Sequence, residues 1–312
     1  MRPAYSVIFL TTLIGVGQGL FLALYAVDVG ARYGEVVVPE PRFFASGAAA
    51  AVLFTALGLV ASFFHLGHPE RAWRAAACWR TSWLSREVIA LPAFLAGVAA
   101  WGGAHAFGWS ARPAIGAATL VACIALFVCT GMVYACIRFL QEWASPLTLV
   151  DFFLLGAASG TTLAVAIAAW LAPPLVAFYA PAAIALTLTA LAGRLAALLR
   201  NAQLRPNSSL QTAIGIKHPR IAQKAQGFMG GSFNTREFFH GASPSKMRAV
   251  RWGFLAATFV LPVMLLAAGL ASGVRLLYAC AFAVQYAGLL AERWYFLAQA
   301  NHPQNLYYQA MS

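Results

Sequence analysis

His65 and Glu87 bracket a short stretch crowded with polar side chains: His65-Leu66-Gly67-His68-Pro69-Glu70-Arg71-Ala72-Trp73-Arg74, then Arg80-Thr81-Ser82-Trp83-Leu84-Ser85-Arg86-Glu87. An imidazole that titrates near neutrality and a carboxyl group raised by partial burial together suit proton transfer to a hydrogen-bonded carbonyl. A quinone ring offers two such carbonyls, and its reduction to quinol takes two electrons and two protons. Trp73 or Trp83 would stack on that ring, and Arg71 or Arg86 would polarise an oxygen. A plainer reading uses the same residues. Glu87 then complements the positive end of a helix, Ser85 is its N-cap, His65 is an interfacial histidine, and the arginines only set topology.

The elements that position these groups follow from composition. Of the 312 residues 61% are hydrophobic and 10% charged, with mean hydropathy +0.73, more apolar side chain than one globular core can hide. The chain reads as an integral membrane protein, which excludes a soluble enzyme, a disulfide scaffold and a disordered polypeptide. Apolar runs long enough to cross about 30 Å of hydrocarbon as helix lie near 5–27, 43–66, 85–107, 113–137, 149–171, 175–198, 250–271 and 275–299. The first is too long for a cleavable signal peptide. The expectation is an all-α protein of eight transmembrane helices forming a single membrane domain, with a basic loop over 201–249. His65 closes the second helix and Glu87 opens the third, so both sit at one membrane face.

Charge sets the orientation. Arg32, Arg42, Arg112 and Arg275 fall on one side, and the other 17 of the 21 Lys and Arg fall on the side of both termini. The positive-inside rule places that side, and the 201–249 loop, in the cytoplasm. The loop holds many cations against the single Glu237, yet also Phe228, Met229, Phe233, Phe238 and Phe239. Two readings fit: a basic segment lying on anionic lipid, or a docking surface with Phe233 and Phe239 as anchors and Arg220 and Lys224 as rim. A net charge of +12 is then a matter of lipid and partner subunits, not of nucleic acid.

Cys78, Cys123, Cys129, Cys136 and Cys280 form no C-x-x-C pair, so neither zinc nor an iron–sulfur cluster is expected in this chain. Haem is not expected either, because no two histidines are placed to face each other from different helices within the membrane. A secondary transporter would need mid-membrane polar residues and matched broken helices, whereas the polar residues here gather at one face. A secondary transporter, less favoured on that ground, and an anchor without any quinone site are the alternatives.

The run His65-Leu66-Gly67-x-Pro69-x-Arg71-Ala72-Trp73, with Thr81-Ser82-Trp83-Leu84-Ser85-Arg86-Glu87, resembles the membrane-anchor subunit of the dimethyl sulfoxide reductase family. The resemblance extends to Glu292-Arg293-Trp294-x-Phe296 and to His302-Pro303-Gln304-Asn305-Leu306-Tyr307-Tyr308. It implies a chain without metal or substrate chemistry. Such a chain anchors a molybdopterin catalytic subunit and a ferredoxin-like iron–sulfur subunit, and exchanges electrons with ubiquinone or menaquinone. In the family the His65 and Glu87 positions belong to the quinol site, while Arg71, Ser85 and Arg86 match positions of less defined role. The inward charge bias and the long basic loop are similar to the branch serving cytoplasm-facing sulfite dehydrogenases. The resemblance therefore implies electron flow from sulfite to quinone in a bacterial inner membrane; a quinol-oxidising reductase anchor is the alternative.

Overall fold

The structure, a computed structural model, describes residues 1–225 and 237–307. Helix starts follow local chemistry. Pro41 opens α2 (Pro41–Phe63), where its missing N–H and fixed φ cost nothing. Ser82 caps α3 (Trp83–Phe107), its Oγ accepting from the Ser85 N–H at 3.3 Å. Ser145 and Ser243, each followed by proline, likewise cap α5 (Pro146–Leu171) and α8 (Pro244–Ser272). The expected cap at Ser85 is therefore corrected to Ser82: the helix begins two residues earlier, which places Ser85 at its third position. Gly108, at φ 69°, takes the left-handed turn that ends α3 just before α4 (Arg112–Ala135).

The other long helices are α1 (Tyr5–Arg32), α6 (Val176–Ala202) and α9 (Leu276–Gln299), with a short α7 (Leu210–Ile214) between α6 and α8. No strand occurs among the described residues. Seven helices among the described residues, α1 to α6 and α8, are long and apolar enough to cross a membrane. The eighth expected span, α9, is a 24-residue helix outside that set; Gln285, Glu292 and Arg293 interrupt its apolar run.

Helices α1 and α5 form the centre, with 67% and 72% of their apolar windows buried against 44% or less for the other candidates. Glycine makes their contact possible. A Cβ on Gly19 would collide with the carbonyl of Gly156, and one on Gly160 with the Gly19–Leu20 backbone. Gly15-x-x-x-Gly19 thus faces Gly156-x-x-x-Gly160, a close approach in which backbone dispersion and weak polar contacts replace the hydrophobic drive that lipid removes. A π-helical turn, Ala256–Val260, interrupts α8. It frees the Thr258 carbonyl, which accepts from Gln285 Nε2 at 3.3 Å, while the same amide reaches Thr187 Oγ1 at 3.2 Å. Gln285 ties α6, α8 and α9 together inside the bundle.

Both ends of the described chain meet at one end of the bundle. The Met1 amine donates to Ala298 O and Ala300 O at 3.2 and 2.7 Å, and Tyr307 Oη donates to Ala213 O at 2.7 Å. This terminal end also carries the start of α3 and the 136–145 turn between α4 and α5.

Candidate functional site

The polar stretch after α2 folds as a 3₁₀ segment, Pro69–Cys78, lying outside the helix ends. His65, Arg71 and Trp73 are exposed on it or just before it. Neighbouring atoms nevertheless shield the His65 ring enough to hold its imidazole below the usual range, so the neutral form prevails at neutral pH. His68 and Arg71 both turn to Glu70, at 3.1 and 3.6 Å, across an exposed surface where such pairs contribute little.

Arg86 is already committed. Its Nε and Nη2 donate to Trp79 O and Arg80 O, both at 2.8 Å, and its guanidinium lies 4.2 Å from the Trp83 ring centroid. Arg86 thereby clamps the end of the 3₁₀ segment onto the first turn of α3, with the Trp83 ring as its platform. Ser85 is buried beside them. Within the predicted group, His65 and Glu87 remain the two residues suited to proton chemistry. No hydrogen bond or ion pair among the described residues joins them.

Glu87, expected in the first turn, points inward from the second turn of α3, because the Ser82 cap starts the helix earlier. Thr130, on the last turns of α4, donates its hydroxyl to Glu87 Oε1 at 2.5 Å. Behind Thr130 lies a cavity of about 20 Å³, whose polar lining is Thr11, Thr12, Gln18, Thr130, Ser159 and Arg293. Arg293 comes from α9, and its guanidinium carbon sits 3.8 Å from the Phe152 ring centroid.

Beyond Arg293 lies a group of charges that no single stretch of sequence announces. Arg194 Nε is 2.8 Å from Glu292 Oε1, Arg194 Nη1 is 3.6 Å from Asp151 Oδ2, and Arg293 Nη2 is 3.8 Å from Glu292 Oε2. These four side chains, from α5, α6 and α9, are 1–6% exposed. One signal does exist: Asp151 is a lone carboxylate inside an apolar run, and such a residue needs a partner. Arg194 and Arg293, taken singly, look like topology charges at helix ends. At the opposite end of the bundle Asp28, also buried, pairs with Arg32 and lies 3.7 Å from His105 Nε2 and 3.9 Å from Arg112 Nε.

Of the expected docking residues, Arg220 and Lys224 are exposed, and Phe233 lies outside the described residues. Phe239 is half-buried and lines a hollow of about 360 Å³ with Met1, His240, Ala298 and Asn305. Its neighbour Phe238 stacks flat on His302, centroids 3.9 Å apart. The aromatic groups of this segment that are described thus fold back on the terminal end.

The described residues form an all-α bundle of long apolar helices, the architecture of a membrane subunit. Residues 2–293 match the family described as DMSO reductase anchor subunit (DmsC), and the chain belongs to that family. It is also 53% identical, over 326 aligned positions covering all of both chains, to a sulfite dehydrogenase subunit of Allochromatium vinosum. The chain is accordingly a membrane anchor and a homologue of a sulfite dehydrogenase subunit.

Proposed function

We propose that this chain is the quinone-reactive anchor of a three-subunit molybdenum and iron–sulfur oxidoreductase in a bacterial inner membrane, passing electrons from sulfite oxidation to quinone. A molybdopterin catalytic subunit oxidises the substrate, and a ferredoxin-like iron–sulfur subunit delivers electrons to the terminal end, which faces the cytoplasm. The full-length similarity to the Allochromatium sulfite dehydrogenase protein supports this assignment, and the bias of basic residues supports the orientation. The proposed topology keeps eight spans, α9 included. Its Glu292 is met by Arg194 at 2.8 Å, so the charges that lower its apolarity are neutralised within the bundle instead of facing lipid.

The observation that carries the quinone reading is Glu87: a carboxyl group at the membrane edge of the terminal end, hydrogen-bonded to Thr130 and aimed into the bundle. A quinone bound between it and His65 takes two electrons from the partner and two protons at its carbonyl oxygens, becoming quinol. Glu87 and neutral His65 hydrogen-bond those oxygens and relay the protons from the cytoplasmic side. Arg86 and Trp83 hold the loop that shapes the site, and exposed Arg71 and Trp73 form its outer rim. Haem has no part in this scheme, since His65 and His105 stand at opposite ends and His105 is engaged with Asp28.

In the assembled complex, Glu87→Gln and His65→Ala are expected to retain sulfite oxidation with a soluble artificial acceptor while losing about 100-fold or more of quinone-linked turnover, the lower end of what a lost acid–base group typically costs. Unchanged quinone reduction in both variants would place the site elsewhere. For docking, Arg220→Glu with Lys224→Glu is expected to release the iron–sulfur subunit during purification while membrane insertion persists; undiminished co-purification would leave that segment on lipid.

A further inference from the structure

We propose that the 20 Å³ cavity holds one water molecule that links Arg293 to Thr130 and, through Thr130, to Glu87, making Arg293 a positioning residue for that carboxylate. The inference rests on the quinone-site reading of Glu87 for its functional meaning, but not for the water itself.

The volume, about 20 Å³, suits a single water, and the polar lining gives it the two to four partners a buried water needs. Donors and acceptors match as well. Thr11, Thr12 and Ser159 spend their hydroxyl protons on the carbonyls of Val7, Ile8 and Leu155, at 2.9, 2.8 and 2.8 Å. Their oxygens therefore accept. Arg293 is 3% exposed, and its Nε has no hydrogen-bond partner among the described residues. A buried unpaired N–H is costly, and a water in the cavity removes that cost.

The resulting chain has a direction. Arg293 donates to the water, the water donates to Thr130 Oγ1, and Thr130 spends its single proton on Glu87 Oε1. Every donor points toward Glu87, and none points back. The other charged or titratable groups near Glu87 are few. Arg86 is on its own helix, and Cys129 and Tyr134 come from α4. From the stretch between α2 and α3, His65, His68, Glu70, Arg71, Arg74 and Arg80 are exposed. The only charged residue of α2 is Arg42, at its opposite end. Arg293 is thus the one cation among the described residues brought to Glu87 from the bundle interior, and it can act there through a hydrogen-bonded chain.

The test uses the assembled complex with Thr130→Val, Arg293→Gln and Arg293→Lys. Infrared spectra in H₂¹⁶O and H₂¹⁸O are expected to show an isotope-sensitive O–H stretch of an isolated water that disappears in both Thr130→Val and Arg293→Gln. The pH profile of quinone reduction should move in the same direction in those two variants, by about one unit, as expected when a hydrogen bond to a carboxylate is lost. Arg293→Lys, which keeps a donor and a charge, should restore most of the profile. Thr130→Val keeps the ion group intact, so the proposal stands or falls even if Arg293→Gln fails to assemble. Absence of the water band in the unsubstituted complex, or its persistence in Thr130→Val, would overturn the link. If Glu87→Gln retained quinone turnover while the water band behaved as expected, the quinone reading alone would fail.

Discussion

The two ends of the bundle bury charge in opposite ways. At the terminal end Asp151, Arg194, Glu292 and Arg293 balance two negative charges with two positive ones, and all four are sealed from solvent. Rings close over them: the guanidinium carbon of Arg194 is 5.6 Å from the Phe254 centroid and that of Arg293 is 5.2 Å from Phe296. At the other end Asp28 is equally buried, but its cations are not, with Arg32 and Arg112 side chains 28% and 38% exposed. A carboxylate whose partners touch water keeps part of its solvation through them. A sealed group depends wholly on internal geometry, because desolvating each ion costs several kcal/mol that only well-placed partners offset.

The sharpest way to break this contrast is to remove one sealed cation. Arg194→Met leaves Asp151 and Glu292 in apolar surroundings with only Arg293 between them, and should destabilise the protein by about 3–5 kcal/mol in detergent unfolding measurements. Adding Glu292→Leu should cost less than the two single changes combined, by about 1 kcal/mol or more, because charge and countercharge leave together. Strict additivity would show that the four residues do not act as a unit. At the open end Asp28→Asn should cost about 1–2 kcal/mol, since Arg32 and Arg112 can turn to water. Arg112→Ala should cost below about 1 kcal/mol, and that cost should shrink further as salt is raised.

The smallest effect belongs to the rim of the terminal end. Burial holds the His302 imidazole below its ordinary 6.5, so the folded state prefers the neutral ring. In the window just below pH 6.5 the unfolded segment binds more protons, and stability there rises with pH. Acidification through that window should therefore loosen the Phe238–His302 stack, read as lower hydrogen-exchange protection, relative to the intrinsic rate at each pH, across residues 304–307. Protection that does not change with pH would remove His302 from the contact.

This contrast also marks what the sequence made legible. Length and apolarity placed the long helices, because a span must satisfy its backbone internally whatever its neighbours are. The termini of α3 and α8 shifted because Ser82 and Ser243 outcompete the apolar boundary as caps. Glu87 was legible as a polar residue at a helix start, but Thr130 was not, since nothing along the chain joins residues 43 positions apart. Asp151 stood in plain view inside an apolar run, and Asp28 just past the end of another. Their partners did not, because arginines near helix ends look alike whether they meet lipid headgroups or a buried carboxylate. Pairing is a property of helix neighbours, and no local pattern in one sequence encodes it.

The glycine seam between α1 and α5 has a consequence in time. Helix α1 ends at Arg32 and α5 at Leu171, about 140 residues later, which is roughly 7–28 s of synthesis at 5–20 residues per second. Through that interval the flattest face of the first helix has no glycine-faced partner. Helix α2 meets α1 on the other side, where Gly17 packs against Thr55 and Ala51, so the Gly15–Gly19 face stays open until α5 is made. Substitutions that make the open Gly15–Gly19 face more adhesive should then appear first as lost yield during biogenesis.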